Sequence, residues 1–202
     1  MANANKPMGL SPHSYISGAK WNGQGTVYAI LQADTNAYAV GDPVTLAGTA
    51  DANGIPNVVL STAGAGNPIT GVIVGLGANV YGGMVGSTTQ FSSVLIPATK
   101  PAGTNYYVLV CDDPNVLFEI QEGGAGTALA AADLGTNINL LSGTNNGYAS
   151  GWQLDNNSKG TGATLQCQLL RLKQTADNTF GQYADWLVRI NNHSFKAGTA
   201  GV

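Results

Sequence analysis

The chain has 202 residues, enough to bury one large core or two small ones. Only 9% of it is Asp, Glu, Lys or Arg, against roughly 25% in ordinary soluble domains, and glycine alone supplies 28 residues. A formal charge of -3 and a pI of about 5.1 argue against direct nucleic-acid binding, and a 44% hydrophobic share without charge runs excludes intrinsic disorder. Gly, Ala, Asn, Thr and Ser take the place of the missing charges. Such small neutral side chains suit turns, strands and surfaces destined for burial, because burying an unpaired charge is costly.

Residues 1–25 read as an extended N-terminal arm, with Pro7, Gly9, Pro12, Gly18, Gly23 and Gly25 breaking any helical pattern. The same stretch carries Met8, Leu10, Tyr15, Ile16 and Trp21, which a free tail does not expose. These five are the candidate partner-contact residues. Either they lie on the body of their own chain or they reach a neighbouring subunit; the apolar area that an arm buries per residue favours the neighbour. The N-terminus has no apolar run long enough for a signal peptide, and no segment approaches the roughly 20 apolar residues of a membrane span. The expectation is synthesis in a cytoplasm and no membrane partner.

From Thr26 onward the pattern is one of short strands, which makes residues 26–202 a single β domain. TVYAIL comes first, then GDPVTLAG, with Val44 and Leu46 on one face. Asn53-Gly54 signals a hairpin turn into IPNVVLST, because both positions tolerate positive φ. ITGVIVGLG reads as a buried, β-branched strand whose glycines allow either a close approach of another backbone or a bulge. SSVLIPA follows, and NYYVLVCDDPNVLFEIQEG reads as two strands around Asp112–Asn115. In the second of these Val116, Phe118 and Ile120 alternate with Leu117, Glu119 and Gln121. GTALAAADLG is the one candidate helix, of about two turns. The segment 122–136 is a minor seam, read as a surface excursion within one domain. In ATLQCQLLRLKQ the face parity breaks at Leu169–Leu170, which predicts a β-bulge. In DWLVRIN, Trp186, Val188 and Ile190 share a face. Many short strands and at most one short helix define an all-β fold, a β-barrel or a jelly-roll-like sandwich.

Chemistry-bearing motifs are scarce. His13 and His193 have no carboxylate or nucleophile at a recognisable spacing, and no Gly-x-Ser-x-Gly elbow or phosphate loop is present. Cys111 and Cys167 lie in apolar runs and read as buried free thiols. Asp155–Gly160 echoes a calcium loop, but Lys159 stands where an oxygen ligand belongs, so a turn is expected. Asp112, Asp113, Glu119 and Glu122 form the densest acidic stretch, with Asp113-Pro114 reading as a turn. No metal, no cofactor and no catalytic residue is expected. Trp152 and Trp186 are expected to point into the core.

Several segments together resemble the capsid decoration, or cement, proteins of tailed bacteriophages: MANANKPMGLSPHSYISGAKWNGQGTVYAI, AVGDPVTLAGTADANGIPNVVLS, ITGVIVGLG, and YYVLVCDDPNVLFEIQE with DLGTNINLLSG and SGWQLDNNS. The resemblance implies a β-barrel or jelly-roll-like body without enzyme activity. It also implies attachment to the major capsid protein on the outer surface of the virion, as a homodimer or homotrimer, after synthesis in the host bacterium. Two further readings stand beside it: a head-fibre base or other virion component, and a carbohydrate-binding β-sandwich displaying Trp or Tyr platforms.

Overall fold

The computed structural model describes residues 3–79, 90–102 and 105–202. The fold is all-β. In chain order the strands are β1 (Ser11–Tyr15), β2 (Thr26–Ile30), β3 (Tyr38–Ala39), β4 (Pro43–Ala50), β5 (Pro56–Leu60), β6 (Gly71–Asn79), β7 (Gln90–Ser93), β8 (Leu95–Ile96) and β9 (Asn105–Cys111). There follow β10 (Val116–Gln121), β11 (Asn137–Ile138), β12 (Leu140–Leu141), β13 (Gln153–Leu154), β14 (Cys167–Leu172) and β15 (Asp185–Ile190).

Strands β2 to β9 build a small barrel. Its sheet runs β4-β5-β2-β9-β6-β7, and β4 also pairs with β6 through Pro43↔Val72 and Val44↔Gly71, which closes the sheet on itself. Closure satisfies backbone groups that an open edge would leave unpaired. Strand β6 pairs with β4 at its start and with β7 at its end, bending at a bulge between Ile73 and Gly75. The extra residue, Val74, lets Ile73 and Leu76 both face the barrel interior, where they meet Tyr28, Val44, Val58 and Val108. Tyr38 and Ile96, from the β3–β8 ribbon, complete that core. The predicted hairpin turn joins β4 to β5, with Gly54 at φ +80° and the Asp51 carboxylate accepting from the amides of Asn53 and Ile55.

The second layer is an open antiparallel sheet in the order β1-β10-β15-β14-β11. Its inner face packs Phe118, Ile120, Leu169, Trp186 and Val188 against Ile69, Val72 and Cys111 of the barrel half, so the two cores share a wall. The segment YYVLVCDDPNVLFEIQ is therefore not a hairpin: β9 ends in the barrel, and the turn at Asp112–Asn115 carries the chain into the other sheet. The boundary between the two cores lies at this turn rather than at 122–136, where Glu122 and Leu129 are buried inside the second layer. The bulge expected at Leu169–Leu170 is present, since Leu169 pairs with Val188 and Arg171 with Leu187.

Two expectations are corrected. The GTALAAADLG segment forms a single 3-10 turn, Ala131–Asp133, and a second such turn lies at Asn156–Ser158. Gly126 and Gly135 take positive φ, Leu129 is drawn into the core, and what remains is too short to propagate a helix. The N-terminal segment is not an arm reaching away from its chain. Strand β1 pairs along β10, Leu10 is 1% exposed in the shared core, and Gln121 is bracketed by the Lys6 amide and the Ala4 carbonyl. Pairing in its own sheet satisfies the segment's backbone and gives Leu10 its apolar surroundings.

Candidate functional site

The five residues singled out in the N-terminal segment part company in the structure. Leu10 is core and offers a partner almost nothing. Met8 and Ile16 are 56% and 57% exposed, and Tyr15 and Trp21 are half-buried. Ile16 sits at the tip of a tight turn held by Tyr15 N–H to the Ala19 carbonyl and Gly18 N–H to the Tyr15 carbonyl. Met8, Leu10 and Trp21 come together on one groove, whose other walls are Pro12, Val40 and Tyr148. This groove has a volume of about 280 Å³, and no described residue lining it carries a charge.

The groove rests on a close crossing of three chain segments. Leu10 N–H donates to the Gly41 carbonyl at 3.0 Å, and Ser150 N–H donates to the Val40 carbonyl at 3.0 Å. A Cβ on Gly9 would lie 2.3 Å from the Gly41 carbonyl oxygen, and one on Gly41 would lie 2.3 Å from that of Met8; both residues also have positive φ. Only glycine allows the two backbones to approach so closely. Beneath them Asp42 is 3% exposed, and its carboxylate accepts from Ala39 N–H at 2.8 Å. Burial pushes this carboxyl up to about 6, against the lowering effect of the Ser150 and Ala39 donors.

Tyr148 is the signal that the sequence reading missed. The Asn146 side-chain oxygen accepts from the amides of Tyr148 and Ala149 at 3.0 and 2.9 Å, and Gly147 takes φ +90°. This Asn-Gly turn holds Tyr148 out from the surface, 75% exposed. The Asn146-Gly147 pair just before an aromatic residue was the available clue.

A second groove, of about 500 Å³, adjoins the first and shares Trp21 with it. Tyr15, Gln24, Asp112 and Asp113 also line it. The acidic stretch seen in the sequence is thus dispersed. Asp112 and Asp113 face this groove, Glu119 forms an ion pair with Lys173, and Glu122 is wholly buried. Asp155 caps the Asn156–Ser158 turn by accepting from Asn157 N–H, and Lys159 pairs with Asp133 at 2.9 Å, so the calcium-loop echo is a turn.

Other sequence-derived candidates are interior. Trp152 and Trp186 are 2% and 0% exposed, so neither forms a surface platform. Cys111 and Cys167 are buried free thiols, each pushed up to about 12 by desolvation and hence protonated at neutral pH. His193 is buried and held below its ordinary value by desolvation, while His13 lies on β1. Among the described residues no three His, Cys, Asp or Glu side chains gather into a metal-holding group, and no helix is long and apolar enough to cross a membrane.

No family model, curated protein or solved structure matches this chain.

Proposed function

We propose that this protein is a non-enzymatic virion component that decorates the outer surface of a tailed-phage capsid and bridges neighbouring major capsid protein subunits. One observation carries the reading. The uncharged groove walled by Met8, Trp21, Val40 and Tyr148 leaves apolar side chains exposed on the N-terminal segment, within the stretch whose sequence resembles phage decoration proteins. A partner protein covering this groove desolvates no charge there, and each apolar contact adds to attachment. Oligomerisation as a dimer or trimer multiplies such contacts, so that modest single-site affinity gives lasting occupancy.

The test uses phage particles assembled without the protein. Such particles assemble but release DNA at a lower temperature than wild type, and added full-length protein restores the difference. Met8→Ser and Tyr148→Ser, both at exposed positions, keep the melting temperature yet weaken attachment by about tenfold or more. Protein-free particles as robust as wild type, or variants that attach undiminished, overturn the reading.

A further inference from the structure

The larger groove behind Trp21 has a chemistry of its own. Tyr15 and Trp21, both half-buried, give it aromatic surface, while Gly23 and Gly25 add backbone without side chains. Among the described residues lining it the charged ones are Asp112 and Asp113, and none is basic. Asp112 is held in place by two donors, Thr26 Oγ1 at 3.1 Å and Tyr28 Oη at 2.8 Å. Asp113 is exposed; its Oδ1 accepts from the backbone and side-chain nitrogens of Asn115, and no described group donates to its Oδ2. Neither aspartate has an ion-pair partner among the described residues.

Two adjacent carboxylates without a counter-ion repel an anionic ligand, and covering them with an apolar one would strip their water without return. A planar cation answers both features, stacking on the aromatic faces while it donates to carboxylate oxygens. We propose that this groove receives an arginine side chain of the same partner protein whose apolar side chain fills the neighbouring groove across Trp21. The inference rests on the docking reading and adds the partner's charge: an apolar and a basic side chain placed to straddle Trp21.

The experiment needs no capsid. Isotope-labelled full-length protein is titrated with Nα-acetyl-arginine amide and, in parallel, with Nα-acetyl-citrulline amide, which has nearly the same shape without the charge. The arginine probe should shift the Trp21 indole N–H and the Gly23 and Gly25 amides saturably, with citrulline weaker by about tenfold. Asp113→Asn keeps an oxygen for the Asn115 bonds but removes the charge, and should weaken the arginine probe by about fivefold to tenfold with an unchanged melting temperature. Added salt should weaken the arginine probe in the wild type, a second readout independent of any variant. Equal response to citrulline, indifference to salt, or chitotriose shifting the same resonances while arginine does not, each overturns the inference. If the probe fails while the protein still docks and Tyr148→Ser still weakens docking, only the arginine anchor falls. If the probe binds but the protein never docks, the docking reading falls and the groove remains a guanidinium site.

Discussion

Around the barrel, three aspartates meet tyrosine hydroxyls: Tyr38 with Asp34 at 2.7 Å, Tyr28 with Asp112 at 2.8 Å and Tyr107 with Asp51 at 2.9 Å. Each tyrosine buries its ring and brings its hydroxyl to a carboxylate that also serves a turn or the barrel surface. In the five-stranded sheet the comparable acid, Glu122, lies in the interior. It is 0% exposed and accepts from Trp186 Nε1 at 2.9 Å, Leu129 N–H at 3.2 Å and Asn156 Nδ2 at 3.4 Å. Even with three donors, burial pushes its carboxyl up to about 7. Asp51 shows the opposite outcome: burial raises it, but the bonds from Ile55, Tyr107 and Asn53 outweigh that and hold it below its ordinary value. Hydrogen bonds keep a carboxylate ionised where water helps, and fail to do so where water is gone.

The severest test of this contrast is Trp186→Ala. It removes a fully buried ring and the donor closest to Glu122. Cavity formation alone predicts a loss of about 3–5 kcal/mol, with the orphaned carboxylate adding to it. Tyr107→Phe, at the barrel rim, removes only a hydroxyl and should cost about 0.5–1.5 kcal/mol. Urea unfolding of both variants decides; similar losses would break the comparison.

The first strand belongs energetically to the sheet half, although it opens the sequence. Leu10→Ala should cost about 2–4 kcal/mol, whereas Met8→Ala, at an exposed position, should stay within about 0.5 kcal/mol. Equal effects in thermal melts would mean that Leu10 is not core.

Local features of this architecture were legible in the sequence, and long-range ones were not. The Asn53-Gly54 turn, the bulge at Leu169–Leu170 and the burial of Trp152 and Trp186 follow from turn chemistry and face parity, which a few neighbouring residues determine. Barrel closure depends on Pro43 and Val44 meeting Val72 and Gly71, and nothing local to either strand specifies its edge partner. Leu10 was expected to meet a neighbouring subunit rather than its own core for the same reason, since the β10 strand that receives β1 lies about a hundred residues away. Glu122 could have been placed. It continues the parity of Val116, Phe118 and Ile120, and so falls on the core face. The two grooves could not, because each joins loops from distant parts of the chain.

Acidity offers a finer test. The folded Glu122 carboxyl sits at about 7 against an ordinary 4.5, so the folded chain holds that proton more tightly than the unfolded one. Its contribution is fully present below the unfolded value, declines as pH rises through the window, and is lost above about 7. A shift of this size corresponds to at most about 3 kcal/mol. Asp42 has the same sign, in the window from 3.8 to about 6. From these two carboxyls the protein should resist urea better near about pH 5 than near about pH 8, while buried His193, held below its ordinary value, contributes with the opposite sign. Glu122→Gln should flatten the upper part of that slope, because the amide that replaces the carboxyl does not titrate. A slope unchanged in this variant would take Glu122 out of the account.

The smallest effect comes from the rim, and its sign is reversed. Asp51 is only half-buried, and its Oδ1 accepts from Asn53 and Ile55 N–H at 2.9 and 2.8 Å. Because its folded carboxyl is held below the ordinary 3.8, its contribution is present above that value and is lost as pH falls through the lower folded one. Solvent screens the charge, so Asp51→Asn should cost only a few tenths of a kcal/mol at neutral pH, and Asn retains the oxygen that the turn amides need. The penalty should vanish in acid, where the wild-type carboxyl is protonated as well. Glu122→Gln and Asp51→Asn thus bend the stability curve in opposite directions over different pH ranges. If both act in the same direction, the distinction between an interior and a rim carboxylate does not hold for this fold.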